Sequence, residues 1–381
     1  MDGLEIAHRR LHNQHLSAVP LADPVAVVRH FGAMQAQEYA VAKWSVAQRT
    51  SGFDDAAMQR AVNEGAILRI HALRPTWHFV AAADIAWIQA LTGPRVHAFN
   101  AYYNRHHGLD DGLAAKANVV LTEALRGGNH LTRKELGEEL GKAGVEATGN
   151  RLAYIVMRAE LDGLITNGPM RGKQHTYALI SERAPSAITL EPDEALAELT
   201  RRYFVSHGPA TVKDFSWWSS LTVSQIKRGL DLAGSTLAHE VVDGRTYWFA
   251  PADPPRRESS PAVHVLQGYD EYFVAYTESR HVVNLAGLPA GTSNENLLIH
   301  PIVLDSQMIG FWRRAVDRDR ITVEPTLAIK PNAGQRRAVE AAFARYADFV
   351  GVPVTVAWSQ SGRASAAQQG GRYPPDLISG R

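Results

Sequence analysis

The chain has 381 residues, 45% hydrophobic and 21% charged, with a formal net charge of +1, which suits a globular protein of two to four modules. It has no cysteine, and this excludes disulfides, thiolate zinc sites, cysteine nucleophiles and iron–sulfur clusters. No apolar run approaches the roughly 20 residues that span a bilayer, and Met1 to Arg10 is polar without a signal-peptide core, so a cytoplasmic protein is expected.

The first helix is expected after Asp23, with Pro24 at its first position. Val27, Val28, Phe31 and Met34 form its apolar stripe. A second helix runs from Tyr39 to Gln48, and a third from Asp54-Asp55 to Gly65. Two strand-like runs follow, Ile67 to Leu73 and Thr76 to Val80. Helices closed by a two-stranded ribbon are the order of a winged helix.

That order recurs twice. Ala114 to Arg126 is helical, Thr132 to Glu135 reads as a capping box, and Asn150 to Asp162 is a longer helix. Leu164 to Thr166 and Gln174 to Ile180 form the second wing, with Arg171 and Lys173 at its tip. Then Glu194 to Val205 is helical, Thr211 to Asp214 opens another helix, and Thr222 to Ala233 is the next. Thr236 to Val241 and Arg245 to Ala250 flank Asp243-Gly244, a strong hairpin signal.

Asp253-Pro-Pro-Arg-Arg reads as a linker. Beyond it Val263 to Tyr276, Met308 to Trp312 and Ile321 to Leu327 suggest a small sheet or partly open barrel. A helix, Gly334 to Phe349, precedes a last strand, Val352 to Trp358. The tail from Gly362 is expected to be disordered. The fold class is thus α+β: winged helices over residues 1–110, 111–190 and 191–255, a β-barrel-like domain over 256–360, and a tail over 361–381.

A net charge of +1 does not advertise nucleic-acid binding. Basic pairs at Arg201-Arg202, Lys227-Arg228, Arg256-Arg257, Arg313-Arg314 and Arg336-Arg337 read as solvated surfaces. A protein that touches few phosphates need not be basic overall.

Four segments carry a resemblance: Met34-Gln-Ala-Gln37, Leu73-Arg-Pro-Thr-Trp-His-Phe79, Gly208-Pro-Ala-Thr-Val-Lys-Asp-Phe-Ser-Trp-Trp218 and Tyr269-Asp-Glu-Tyr272. With them the chain resembles the AlkZ-type winged-helix DNA glycosylases, in the branch with a Gln-x-Gln motif, from about His8 to about Trp358. The resemblance implies three tandem winged helices and a β-barrel in a C-shape around duplex DNA. It also implies excision of N7-alkylated guanine and unhooking of interstrand crosslinks or bulky adducts, often as self-resistance in antibiotic producers. Gln35 and Gln37 are then the catalytic pair. The expected partner is double-stranded DNA carrying alkylated purines, engaged by a monomer without cofactor, metal or membrane.

The residues allow that chemistry. On a helix, Gln35 and Gln37 would diverge by about 200°, whereas in an extended or turn segment they share a face, which calls for irregular backbone under the pair. The helix should therefore end near Met34. A purine alkylated at N7 is cationic and departs without a general acid. An amide carbonyl can stabilise the oxocarbenium-like transition state or orient water, and one carbonyl is assigned to each task, with Gln37 favoured for the water. No lysine nucleophile is needed, so the product is an abasic site.

Arg74, Thr76 and His78 on the first ribbon are candidate DNA or site contacts, and Arg171 and Lys173 at the second wing's tip are candidate phosphate contacts. Asp270 and Glu271 form a candidate acid pair, of which strand geometry lets at most one face a cleft. His97, His106 and His107 fit no familiar zinc spacing. Trp87, Trp217 and Trp218 read as packing, and Gly291-Thr-Ser-Asn is not a phosphate loop. The competing functions are a non-catalytic winged-helix regulator and a drug-sequestering resistance protein.

Overall fold

Local capping chemistry sets most helix boundaries. The computed structural model describes residues 1–253, 255, 259–287 and 300–358. The Asp23 side chain accepts from Ala26 N to open helix Pro24–Phe31, and Asp54 does the same for Asp55–Asn63. Capping boxes start Arg133–Lys142 at Thr132, Val212–Ser219 at Thr211, Val223–Ala233 at Thr222 and Ala333–Val350 at Asn332. Each such cap contributes about 1 kcal/mol.

Two helices of ten residues or more lie outside the sequence reading. Gly3–Asn13 buries only Ile6, Ala7, Leu11 and Arg10 among polar neighbours, too narrow a stripe to stand out. Ile85–His106 runs 22 residues straight through Pro94, which follows Gly93 and reads locally as a break.

Three small sheets follow the helices. Trp77–Ala81 is central in the first, between Met34–Gln35 and Ile67–His71. Thr176–Leu179 is central in the second, between Leu131–Thr132 and Ile165–Asn167. Ala238–Val242 and Arg245–Phe249 form the third, joined by Asp243 and Gly244 at φ 48° and 73°, the paired positive φ of a type I′ turn.

The fourth sheet has five strands in the order Val354–Val356, Ile321–Leu327, Gln307–Val316, His300–Leu304, Val263–Val265. It curls into a half-barrel, and Phe343, Tyr346 and Phe349 of helix Ala333–Val350 join Trp312 and Trp44 in its core. One expectation fails here. The run Val263 to Tyr276 is not one strand: after Val265 the chain turns, and Asp270 caps a short helix, Glu271–Val274, by accepting from Tyr272 N. A continuous apolar run is shared by buried strands and buried helices alike.

The first sheet is covered on both faces. Met34, Ile67 and Phe79 join the half-barrel core, whereas Leu68, Ile70 and Val80 join a core with Leu199, Tyr203, Phe215 and Trp218. The two-residue alternation of a strand divides them. The edge strand Met34–Gln35 is therefore held between the half-barrel and the helices of the third unit. Arg202 is likewise no solvated cation, since its Nη1 donates to the buried Asp84 carboxylate at 2.6 Å. The tail from Gly362, the Gly291-Thr-Ser-Asn segment and Arg256-Arg257 lie outside the described residues.

Candidate active site

Helix Pro24–Phe31 stops at Gly32, whose φ of +81° favours glycine. The chain then extends. Met34 pairs with Phe79 and Gln35 with His78, and Ala36 N donates to Trp77 O at 2.7 Å. Gln35 thus ends a short strand, and Gln37, two residues on, stands at the bend that follows it, so neither lies on helical backbone.

The two amides have different surroundings. Gln35 is 4% exposed. Its Oε1 accepts from Arg74 Nη2 at 2.8 Å, its backbone N–H donates to Glu271 Oε1 at 2.7 Å, and its carbonyl accepts from Gln267 Nε2 at 3.2 Å. Gln37 is half-buried. Among the described residues its Oε1 meets only the backbone N–H of Trp77, at 3.3 Å. Arg69 braces the segment by donating to Ala36 O at 3.0 Å and Gln37 O at 3.4 Å, with its guanidinium 4.3 Å from the Trp77 ring centroid.

Behind Gln35 the hydrogen bonds close a ring. Arg74 Nη1 donates to Trp218 O at 2.6 Å, and Trp218 Nε1 donates to Glu271 Oε2 at 2.8 Å. Glu271 returns to Gln35 through the backbone bond, and Arg74 through the side-chain bond. His207 Nε2 adds a further contact to Glu271 Oε2 at 3.3 Å. The cation and anion are both buried, at 8% and 1% exposure, a burial tolerated because every charge has partners.

Burial pushes the Arg74 guanidinium down to about 10, still charged at neutral pH. Burial, and then the neighbouring Arg74, hold His78 well below its ordinary value. His78 is therefore neutral. Its Nδ1 faces Thr76 O at 2.8 Å, which places the proton there and leaves Nε2 to accept from Arg74 at 3.4 Å.

The structure gathers Gln35, Gln37, Arg74, His78 and Glu271 in one place. Arg74 and His78 do not project outward from the ribbon; they turn inward beneath the glutamines. Thr76 is half-buried, and its Oγ1 has no hydrogen-bond partner among the described residues. Asp270 faces the other way, onto Arg49. Arg171 lies on the second sheet's turn, bonded to Glu135 Oε1 and His130 O at 2.7 Å each, with exposed Lys173 beside it. Trp87 and Trp218 are core, but Trp217 is 46% exposed. Among the described residues no His, Asp and Glu cluster of three or more could hold a metal.

Sequence reasoning missed His207, Gln267 and Arg69. His207 and Trp218 bracket the Gly208 to Trp218 segment that carried the resemblance, so a signal for them was present. Gln267 had none.

A family model described as DNA glycosylase AlkZ-like matches residues 28–349. An interstrand DNA cross-link repair glycosylase from Streptomyces sahachiroi is 25% identical over 331 residues, covering 82% of this chain and 87% of that protein. The solved structure of Streptomyces sahachiroi DNA glycosylase AlkZ shares the fold, with a TM-score of 0.78 at 22% identity over 94% of this chain and 100% of that one. No helix among the described residues is long and apolar enough to cross a membrane.

Proposed function

The chain belongs to the AlkZ-like DNA glycosylase family, and we propose that it is a monofunctional glycosylase that releases N7-alkylated, cationic purines from duplex DNA. Interstrand crosslinks and bulky adducts formed at that nitrogen fall within the same chemistry, and self-resistance to an alkylating antibiotic is the role this suits. The observation that carries the reading is the non-helical Gln35 to Gln37 segment, two neutral amides of which Gln35 is braced from behind by buried charges.

In the reaction the C1′–N9 bond breaks with its electron pair passing to the purine, which quenches the base's positive charge. Water adds through oxygen to C1′ and loses a proton to solvent. The leaving group needs no acid, so residues without strong acid or base character suffice. Gln37, with its carbonyl contacted only by one long neutral N–H bond, orients the water. An amide pair acts on labile adducts and spares undamaged nucleotides, which need protonation to leave.

Three winged helices and the half-barrel wrapping the duplex as a C-shaped monomeric clamp would let a crosslinked base be attacked without full extrusion, which a bond to the opposite strand opposes. Arg171, Lys173 and Thr76 are the proposed DNA contacts.

The test is base release from duplex DNA carrying one N7-methylguanine, read as strand breakage after alkali. Wild type should release base, and Gln37→Ala should slow release about 10²-fold or more, the usual effect of losing a positioned catalytic group. If both glutamine-to-alanine variants match wild type, the amides are structural and the proposed site is wrong.

A further inference from the structure

The two glutamines are alike in sequence, but their carbonyls are not equally available. A guanidinium has donors and no acceptor, so the Arg74 contact at 2.8 Å fixes which end of the Gln35 amide is the oxygen. That oxygen faces inward, onto a cation. The hydrogen bonds of Gln35 among the described residues use its Oε1, its backbone N–H and its carbonyl, and none uses Nε2. Gln37 is the reverse case. Its oxygen meets one neutral N–H at 3.3 Å, and it keeps a lone pair unopposed by positive charge.

A carbonyl bonded to a guanidinium is a poor stabiliser of a second positive charge, because the cation already draws on its electron density. The assignment of one carbonyl to each task therefore does not fit Gln35. We propose instead that Gln35 acts as a hydrogen-bond donor and Gln37 as the acceptor. Arg74 is the positioning residue that enforces the difference.

This rests on the glycosylase reading and adds to it. Between the two amides a water is held at both ends. Gln35 Nε2–H donates to one lone pair of the water oxygen, and one water O–H donates to Gln37 Oε1. The second lone pair is left to form the bond to C1′, and the proton released goes to solvent. Two oriented bonds fix the approach of the nucleophile, which is where a neutral site contributes most.

Arg74 can hold this role because it is itself held. Trp218 O takes one arm and the unprotonated Nε2 of His78 lies within 3.4 Å of the other. Glu271 meanwhile fixes the Gln35 backbone from the opposite side. The side chain is thus pinned at its oxygen and its main chain at its nitrogen, and the amide cannot flip without breaking a charge-assisted bond.

Carboxylate substitutions separate donor from acceptor. Gln35→Glu keeps the contact with Arg74 and replaces the outward N–H donor by an oxygen. Gln37→Glu keeps an acceptor. Single-turnover base release at saturating enzyme, with DNA affinity measured separately, should show Gln35→Glu slowed by roughly 10²-fold, as for loss of one oriented donor. Gln37→Glu should be impaired less, by at least about tenfold in the ratio of the two. Arg74→Met should slow release without weakening DNA binding, and Gln35→Ala should add little on that background, because the two act as a unit. Thermal melts of each variant show that the fold persists.

If folded Gln35→Glu is as active as Gln37→Glu or more so, or if the Arg74→Met and Gln35→Ala losses simply multiply, the donor assignment is wrong while the glycosylase reading stands. If wild type itself releases no base, the reading falls and the assignment with it.

Discussion

Asp270 and Glu271 are adjacent in the chain, yet their carboxylates enter separate buried networks. Asp270 takes Arg49 Nη2 at 2.8 Å and Nη1 at 3.0 Å, with neither side chain exposed, and accepts from Ser45 Oγ at 2.5 Å. Glu271 takes Gln35 N, Trp218 Nε1 and His207. The first carboxylate ties the half-barrel segment to helix Tyr39–Ala47, and the second ties the same segment to the glutamines. Breaking a buried pair from one side leaves an uncompensated charge, so Asp270→Ala should cost about 3–5 kcal/mol. Urea unfolding measures it, and a loss under about 1 kcal/mol would mean that Arg49 finds other partners.

Trp218→Phe keeps an aromatic ring among Tyr203, Phe215 and His207 but removes the indole N–H together with part of the buried ring volume. Glu271 Oε2 then loses its 2.8 Å donor. A buried acceptor left short of a donor costs about 1–3 kcal/mol. Base release should also slow, because Glu271 holds Gln35, while DNA affinity stays level. A variant as stable and as fast as wild type would remove Trp218 from the ring.

Gly229 is a close-approach position between helices Pro192–Ser206 and Val223–Ala233. A Cβ there would lie 2.2 Å from Thr200 Oγ1 and 3.2 Å from Thr200 Cβ. Thr200 is fully buried and its Oγ1 donates to Leu196 O at 2.7 Å, so it cannot step aside freely. Gly229→Ala should destabilise by about 1–3 kcal/mol, as for overpacking. The pair Gly229→Ala, Thr200→Ala should recover part of that loss, and calorimetric melting temperatures decide it.

Burial lowers His30 and His300 to about 4, each from an ordinary value of 6.5. Unfolding restores the ordinary value, so between about 6.5 and 4 the unfolded chain binds more protons than the folded one. Stability therefore rises with pH across that window: it is full above about 6.5 and lost progressively as pH falls toward 4. His300→Asn should flatten part of that slope in denaturant midpoints taken from pH 4 to pH 7. An unchanged slope would show that His300 titrates normally in the folded state.

Much of the chain was legible because its signals are local. Asp23-Pro24, Thr132 with Glu135, Thr211 with Asp214 and Thr222 with Gln225 each open a helix through bonds that span three residues. Asp243-Gly244 closes its hairpin in the same way. The non-helical backbone under the glutamines followed from side-chain direction alone, since helical backbone would have pointed the two amides apart.

Of the two roles open to Arg74 and His78, DNA contact or site contact, their burial beside Gln35 fits the second, and the reason is physical. Polar residues on a ribbon mark its wet face only where one face is wet, and this sheet is covered by two cores. Val263 to Tyr276 was read as strand because burial on all sides erases periodicity. Gln267 left no trace, since it acts through one bond to a residue 232 positions away.

The sequence by itself determined most of the helices, the Asp243-Gly244 hairpin and the end of the helix before the two amides, because caps, turns and alternation are properties of neighbouring residues. Only the tertiary structure decided that the amides differ. Arg74 reaches Gln35 across 39 positions and Glu271 reaches it across 236, and it is these distant charges, strengthened by the low dielectric of the interior, that turn one glutamine's oxygen inward and leave the other's facing out.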